Sequence, residues 1–299
     1  MDTTEITREA SHAGSWYKDD PQELEDELTD FLNLADKTSP EGKYLKGIIG
    51  PHAGIMYSGK CAAWAYKNID PSIYKRVFIL GGAHIYDIPG GCLTLCSKYA
   101  TPLGDIRIDT ETTKILSEQE GLQYYGKKYD EHEHCIELHL PYIKKIFEDK
   151  DIGLVPIMFG ALTFEEEKKF GEILAEYLKD PETLFIVSTD FCHWGANYNF
   201  YPHDKAITED IQEYVEHLDK QGMDIIETNN GKEFVEYCNE TKNNICGRHP
   251  IAVYLEALKA AGMNETTETK FVNVDHTMQL KSKEDSSVTY ASAYTILKE

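Results

Sequence analysis

The chain has 299 residues, which is enough for one large domain or two small ones with a sizeable core. Its 41% hydrophobic and 27% charged residues are ordinary for a globular protein, but 52 acidic residues exceed 30 basic ones and give a net charge of −22. So negative a chain argues against nucleic acid and anionic membrane surfaces as partners, and solubility accounts for the excess charge.

The seven cysteines are an odd number and lack the spacing of a disulfide framework. Residues 1–10 are polar and acidic, unlike a secretory leader. No apolar run approaches the roughly 18 residues that a membrane span needs. We therefore expect a cytoplasmic protein with reduced thiols and no membrane insertion, and no signal speaks for or against a nuclear share.

The first part of the chain alternates predicted helices and strands. Leucines at helical spacing predict a helix over 21–35. The apolar run 45–50 predicts a strand that ends beside His52, and the run 77–80 predicts another that ends beside His84. A right-handed crossover between them would place both strands in one parallel sheet, so that both histidines lie at the same edge.

The alternation continues to the end of the chain. Residues 88–108 are interpreted as short strands, for which an antiparallel flap is one arrangement, and 124–133 as a polar loop. Further strands are predicted over 154–158, 184–188, 269–275 and 287–296. Further helices are predicted over 61–66, 109–119, 164–179, 204–219, 222–228, 231–241 and 250–262, besides one that contains Pro141 and ends at 147. No repeat or long linker interrupts this pattern, and one α/β domain is the simplest interpretation.

The densest chemistry of the chain lies in residues 188–195, directly after the apolar run of a predicted strand. Asp190, Cys192 and His193 fall within four positions. Ligands of open α/β sheets sit outside the carboxyl ends of the strands, so we expect Asp190 and His193 to face the same edge as the two strand-end histidines. Cys192 would point the opposite way, into the core. A turn-forming aspartate and structural, hydrogen-bonded histidines are the alternatives.

Cys246 is followed by Gly247 and Arg248 between two predicted helices. A thiolate is a soft ligand suited to iron, Cu(I) or zinc, and it is a nucleophile where a nearby cation lowers its pKa. A structural turn in which Arg248 pairs with an acid is the alternative. The remaining cysteines, interpreted as small buried hydrophobes, are Cys61, Cys92, Cys96, Cys135 and Cys238.

His134 and Glu137 precede Pro141, which fits the first turn of a helix, so both are predicted in the loop before it. They could supply an acid–base group or a hydrogen-bond partner for a metal-bound histidine. A helix-start cap by Glu137 is the alternative.

Several segments together resemble the Memo family (mediator of ErbB-driven cell motility). They are Arg8-Glu9-Ala10-Ser11-His12-Ala13-Gly14-Ser15-Trp16-Tyr17, Pro51-His52-Ala53-Gly54, Glu131 to Tyr142, Ser188 to Gly195 and Ile245 to Ile251. The match runs in register over nearly the whole chain. It implies one domain over 1–299 with a three-layer α/β/α fold and a mainly parallel central sheet, like the class III extradiol (protocatechuate-type) dioxygenases, which hold Fe(II) with two His and one Glu.

Carried over residue by residue, the resemblance implies that His52, His84 and Cys246 hold a metal ion. Asp190 and His193 would line the same pocket as catalytic groups. Further binding residues are expected to be Trp16, His134, Glu137 and Arg248. A cysteine in place of the glutamate softens the donor set, which favours copper or zinc relative to the dioxygenases, leaves iron open and weakens the case for ring cleavage.

Two functions stay open at this point. One is an iron- or copper-dependent redox protein, linked to signalling and cell motility as the resemblance implies, that acts on a small molecule. The other is a non-catalytic module that binds a phosphotyrosine peptide or handles a metal ion in the same pocket. A zinc hydrolase with Asp190 as base is a third and weaker option. The sequence does not identify the metal, the substrate or the oligomeric state.

Overall fold

The computed structural model describes residues 5–148 and 150–298, so residues 1–4 of the polar amino-terminal segment lie outside it, as do 149 and 299. In chain order, the strands are β1 (Thr7–Arg8), β2 (Leu45–Gly50), β3 (Arg76–Gly82), β4 (Gly91–Thr94), β5 (Lys98–Tyr99), β6 (Ile106–Arg107), β7 (Leu122–Tyr125), β8 (Gly153–Phe159), β9 (Thr183–Ser188), β10 (His193–Gly195), β11 (Thr267–His276) and β12 (Ser286–Leu297). The helices are α1 (Pro21–Leu34), α2 (Ile55–Tyr66), α3 (Thr110–Ser117), α4 (Lys127–His132), α5 (Leu140–Ile146), α6 (Phe164–Lys179), α7 (Ile211–Glu227), α8 (Gly231–Thr241) and α9 (Arg248–Ala260).

The main sheet has a parallel centre and antiparallel flanks. Its strand order is β10-β12-β2-β9-β3-β8-β4-β7, with β11 paired to the other side of β12. Strands β2, β9, β3 and β8 run parallel to one another, whereas β12 and β4 run antiparallel to their neighbours in this centre. The predicted α/β class with a mainly parallel central sheet is confirmed.

Two hydrophobic cores lie on opposite faces of this sheet, because alternate side chains of a strand point to opposite sides. In β3, Val77 and Ile79 pack into one core with helices α1, α2 and α5. Phe78 and Leu80 pack into the other with α6, α7, α8 and α9. Strands that are buried on both faces need continuous apolar runs, which is why these strands were recognisable in the sequence.

Helix boundaries follow local chemistry. Asp20 caps α1 by accepting N–H groups of its first turn, with Pro21 directly after it. Thr163 and Glu166 form a capping box at the start of α6. Asp109 caps α3, as predicted.

Three predicted boundaries are wrong. The supposed polar loop 124–133 contains the end of β7 and the short helix α4. The two helices predicted over 204–219 and 222–228 are the single helix α7, which continues through Gly222. That glycine packs against Tyr237, where an added Cβ would lie 2.9 Å from the ring, so it serves close packing and not a break. Residues 193–195 pair with β12 as a short strand instead of a loop.

The parallel centre brings three strand ends to one edge of the sheet. Gly50 of β2 is in register with Ser188 of β9, and Leu80 of β3 with Val187. The segments that carry His52, His84 and Asp190 therefore leave the sheet side by side. Within the described residues, no helix has the length and apolar character required to cross a membrane.

Candidate metal centre

The edge of the sheet brings two of the predicted ligands into contact. Cys246 Sγ lies 3.2 Å from His52 Nε2. Asp190 completes a compact group, since its Oδ2 lies 3.9 Å from the same nitrogen and its backbone N–H donates to Cys246 Sγ at 3.1 Å. The ligand atoms of these three residues all lie within 4.8 Å of one another, which is the spacing of donors that converge on one ion.

His84 belongs to two neighbouring groups of ligand atoms. One contains His52, His84 and His134, and the other contains His84, Glu133 and Cys135. The His84 imidazole also interacts with the Cys246 thiol. The donors thus form a continuous series that is wider than one coordination shell, with His52 and His84 at its centre.

The orientation of His52 is fixed by a short chain of hydrogen bonds. The Ser188 hydroxyl donates to the Cys135 carbonyl at 2.6 Å, so its proton is committed. His52 Nδ1 lies 2.6 Å from the same hydroxyl oxygen and must be the donor in that contact. With the proton on Nδ1, Nε2 carries a free lone pair and faces Cys246 Sγ. A metal-ligating histidine is held in the same manner by the hydrogen bond of its other nitrogen.

Glycines allow the Cys246 segment to approach the sheet closely. A Cβ on Gly247 would lie 2.3 Å from Thr189 Cβ and 2.5 Å from the Ser188 carbonyl oxygen. A Cβ on Gly82 would lie 2.8 Å from the Cys246 carbonyl oxygen. The glycine after Cys246 is therefore required for the thiol to reach His52.

Burial keeps most of these histidines neutral, which is the state that binds a metal. The pKa of His52 is well below its usual value because of burial and, secondarily, because of the neighbouring histidines. Burial also lowers the pKa values of His134 and His193 to about 4 and raises that of Asp190 to about 7. For His84, burial opposes protonation, but hydrogen bonds to two thiols and a carboxylate outweigh it and raise the pKa.

A cavity of about 510 Å³ opens over the centre. Among its walls, Trp16 lies over His134 with ring centroids 4.7 Å apart, and Tyr198 meets His193 edge to face at 5.1 Å. The predicted site residues that line it are Trp16, His52, His84, His134, Asp190 and His193. This combination of imidazoles, most of them neutral, with aromatic walls suits an ion together with a planar or phenolic ligand.

Three predicted residues lie outside the cavity lining. Cys246 is not part of the lining, but it contacts His52, which is. Arg248 donates through Nη2 to Asn239 Oδ1 at 2.9 Å, so the structure does not bring its charge to the cavity. The side chain of Glu137 is fully buried and lies 2.6 Å from Arg8 Nη1.

Glu137 holds the amino-terminal segment against the centre. Its Oε1 accepts the His12 N–H and the Tyr17 hydroxyl, each at 2.8 Å. Arg8, whose side chain is also fully buried, binds Asp130 with its Nε at 3.0 Å. Because this network fixes the chain on both sides of Trp16, it also fixes the Trp16 wall of the cavity.

Sequence reasoning missed two residues of the centre. Cys135 is buried in a hydrophobic core, as predicted, and it also lies with His84 and Glu133. Glu133 accepts the backbone N–H of His84 at 2.7 Å and contacts its Nδ1 at 3.1 Å. Burial opposes ionisation of Glu133, but the His84 hydrogen bond and charge lower its pKa to about 2. The adjacency of Glu133, His134 and Cys135 in the sequence was the available signal.

Comparisons with known proteins agree with the resemblance. A family model described as Memo-like protein matches residues 8–294. The chain is 40% identical over 290 residues to the protein memo-1 homolog of Caenorhabditis elegans, covering 96% of this chain and 82% of that protein. It is 41% identical over 297 residues to protein MEMO1 of Homo sapiens, covering 98% of each. A solved structure of an uncharacterized protein from Escherichia coli K12 aligns with a TM-score of 0.49 at 11% identity, covering 82% of this chain and 98% of the other.

Proposed function

Since this chain belongs to the Memo family, we propose that it is a metal-dependent redox protein in which His52, His84 and Cys246 hold an iron or copper ion. The signalling and motility role that the resemblance implies would then depend on the same centre. Zinc suits two imidazoles and a thiolate equally well as a ligand set, but it would supply no electron transfer.

The observation that carries this proposal is the free lone pair of His52 Nε2, 3.2 Å from Cys246 Sγ. The Ser188 hydroxyl has no second proton to give, so the tautomer of His52 is determined by geometry. A buried neutral imidazole that faces a thiol, with a carboxylate 3.9 Å away, matches the soft donor set that iron and copper accept.

The ion, when bound, would supply one-electron chemistry toward oxygen or a phenolic substrate. The remaining residues of the cavity would have different functions around it. Asp190 has a pKa of about 7 because of burial, so its carboxyl group can take up or release a proton near neutral pH. His193 Nδ1 is buried and has no hydrogen-bond partner among the described residues, which leaves it available to a bound molecule. Trp16 and Tyr198 pack against His134 and His193 at the wall of the cavity.

The phosphopeptide alternative is less well supported. Phosphate recognition commonly relies on arginine or lysine. Among the described residues that line the cavity there is neither, and Arg248 is engaged with Asn239.

The test is elemental analysis of protein purified under reducing conditions, before and after anaerobic reconstitution with Fe(II), Cu(I) or Zn(II). We expect about one ion per chain, lost in His52→Ala and in Cys246→Ser, because a three-ligand site does not survive loss of one ligand. His217→Ala, at an exposed position on α7, is the matched control and should retain the ion.

Oxygen consumption with catechols and thiols then separates iron or copper redox chemistry from metal storage. Metal content that is negligible, or that is unchanged in the two ligand variants, would contradict the proposed centre. A loaded protein that consumes no oxygen with any of these reductants would contradict the redox function.

A further inference from the structure

A second cavity, of about 520 Å³, lies between α7 and β11. Strand β12 separates it from the metal centre, because Val288 and Tyr290 line the first cavity and Thr289 lines the second. Alternate residues of a strand face opposite sides, so the two cavities lie on opposite sides of β12. Asp219, at the base of the second cavity, accepts the Cys192 N–H at 3.2 Å and so touches the loop beneath the metal centre.

Polar atoms at the base of this cavity lack partners. Asp219 and Thr289 are each 1% exposed, and Asp219 Oδ2 and His276 Nε2 make no hydrogen bond of ordinary geometry within the described residues, while the Thr289 hydroxyl lies close enough to Asp219 to stabilise its carboxylate. His276 and Thr289 are direct cross-strand neighbours. Buried polar groups in folded proteins are nearly always bonded, so the carboxylate oxygen of Asp219 and the ring nitrogen of His276 at one cavity indicate a ligand that donates hydrogen bonds.

The charge around the opening favours a cation. Helical spacing on α7 places Glu216, Asp219 and Glu227 on the face toward β11. Lys220 lies on the same face, but its Nζ is bonded to both carboxylate oxygens of Asp224 at 2.6 Å. The remaining carboxylates therefore leave the cavity negatively charged.

The side walls are apolar. Met223 comes from α7, and Phe271 and Val274 come from β11. Residues 271 and 274 would face opposite sides of a regular strand, but the register of β11 against β12 shifts between Phe271 and Asn273. This bulge turns Phe271 and Val274 toward the same cavity, which is how bulges redirect side chains at binding sites. Val274 is 45% exposed, so the apolar wall is open to a ligand.

We propose that this cavity binds a small organic cation, an ammonium or guanidinium group on an apolar body. The cationic group would donate hydrogen bonds to Asp219 Oδ2 and the atoms beside it, and the apolar body would lie between Met223, Phe271 and Val274. The volume is within the usual range of small-molecule sites. The arrangement matches the general form of such sites, which combine apolar walls with a few convergent polar groups.

The test is a ligand-observed NMR titration of the metal-free protein with phenethylammonium, with 2-phenylethanol as the uncharged control of the same shape. We expect saturable binding of the ammonium with a Kd of about 1 mM or tighter, and binding of the alcohol weaker by about tenfold or more. A parallel titration with Nα-acetyl-lysine methylamide shows whether the cavity binds a lysine side chain more tightly or less tightly than phenethylammonium.

Two variants keep the test independent of folding defects. Asp219→Asn keeps the shape of the base but removes its charge, and Val274→Lys, at an exposed position, fills the cavity with an internal ammonium. Both should weaken binding about tenfold or more, whereas Glu240→Gln, an exposed carboxylate on α8, should not change it. No saturation by about 10 mM, equal binding of the alcohol, or wild-type affinity in a folded Val274→Lys variant would overturn the proposal.

Discussion

Replacing Glu137 with glutamine tests whether the buried network fixes the amino-terminal segment as strongly as its geometry indicates. Glu137 and Arg8 are both fully buried and 2.6 Å apart, so the substitution leaves Arg8 with Asp130 as its one remaining carboxylate among the described residues. Removal of one partner from a buried ion pair costs about 3–5 kcal/mol. Asp130 still compensates part of the Arg8 charge, and glutamine keeps the shape of glutamate. We therefore expect a loss of unfolding free energy at the lower end of this range, about 3 kcal/mol.

The measurement is the free energy of unfolding from urea titration. Glu236→Gln is the control, since its exposed pair with Lys232 has a separation of 3.6 Å and should contribute at most about 0.5 kcal/mol. The double variant Arg8→Met with Glu137→Leu should cost less than the sum of the two single changes, because it removes both charges of this pair together, whereas the loss of Arg8 leaves Asp130 unpaired in the single and the double variant alike. A loss below about 1 kcal/mol for Glu137→Gln would refute the reasoning.

The same pair has a defined pH dependence. Burial opposes ionisation of Glu137, but the His12 hydrogen bond and the Arg8 charge lower its pKa below the usual value. A depressed carboxyl pKa stabilises the folded state above the unfolded pKa of about 4.3, and this contribution disappears as the pH falls through the folded pKa. The difference in free energy of unfolding between wild type and Glu137→Gln should therefore be constant near neutral pH and become smaller below about pH 4.

Three further outcomes follow from the structure. Gly247→Ala should lower the free energy of unfolding by about 1–3 kcal/mol or more, since its Cβ would overlap Thr189, whereas Gly126→Ala, with 3.8 Å to its nearest neighbour, should be nearly neutral. Burial raises the pKa of Asp219 to about 6, so ionisation of this carboxyl group lowers the stability of the wild-type fold as the pH rises from about 4 to about 6. In urea titrations, Asp219→Asn should therefore be as stable as wild type near pH 4 and more stable above pH 6, by up to about 3 kcal/mol. Among the described cysteines Cys246 alone is partly exposed, so mass spectrometry after brief native alkylation should find label there first, and Cys246→Ser should remove it.

The position of the centre was predictable because it depends on strands that are buried on both faces. Continuous apolar runs identified β2, β3 and β9, and the rule for parallel crossovers placed the segments of His52, His84 and Asp190 at one edge. The proposed ligand role of Cys246 rests on the family resemblance. No periodicity in the sequence indicates that Gly247 packs onto Thr189 and brings the thiol to His52.

Some surroundings are not readable from the sequence because they are set by distant segments. Cys135 has the composition of a core residue and becomes part of the centre because the loop before α5 packs beside β3, where a Cβ on Gly81 would lie 2.6 Å from its sulfur. Arg248 lies two positions after Cys246, yet α9 begins at Arg248 and directs its side chain to α8. The bulge of β11 likewise depends on its pairing with β12.

His52 and Cys246, whose side chains are in contact at the candidate metal centre, are separated by 194 positions in the chain. At synthesis rates of about 5–20 residues per second, roughly 10–40 s pass between the translation of His52 and that of Cys246. Strand β12, which inserts between β10 and β2, is translated later still. A nascent chain therefore presents His52 without Cys246 for most of its synthesis, and an ion that both residues held, as proposed, would be acquired late in synthesis or after release from the ribosome.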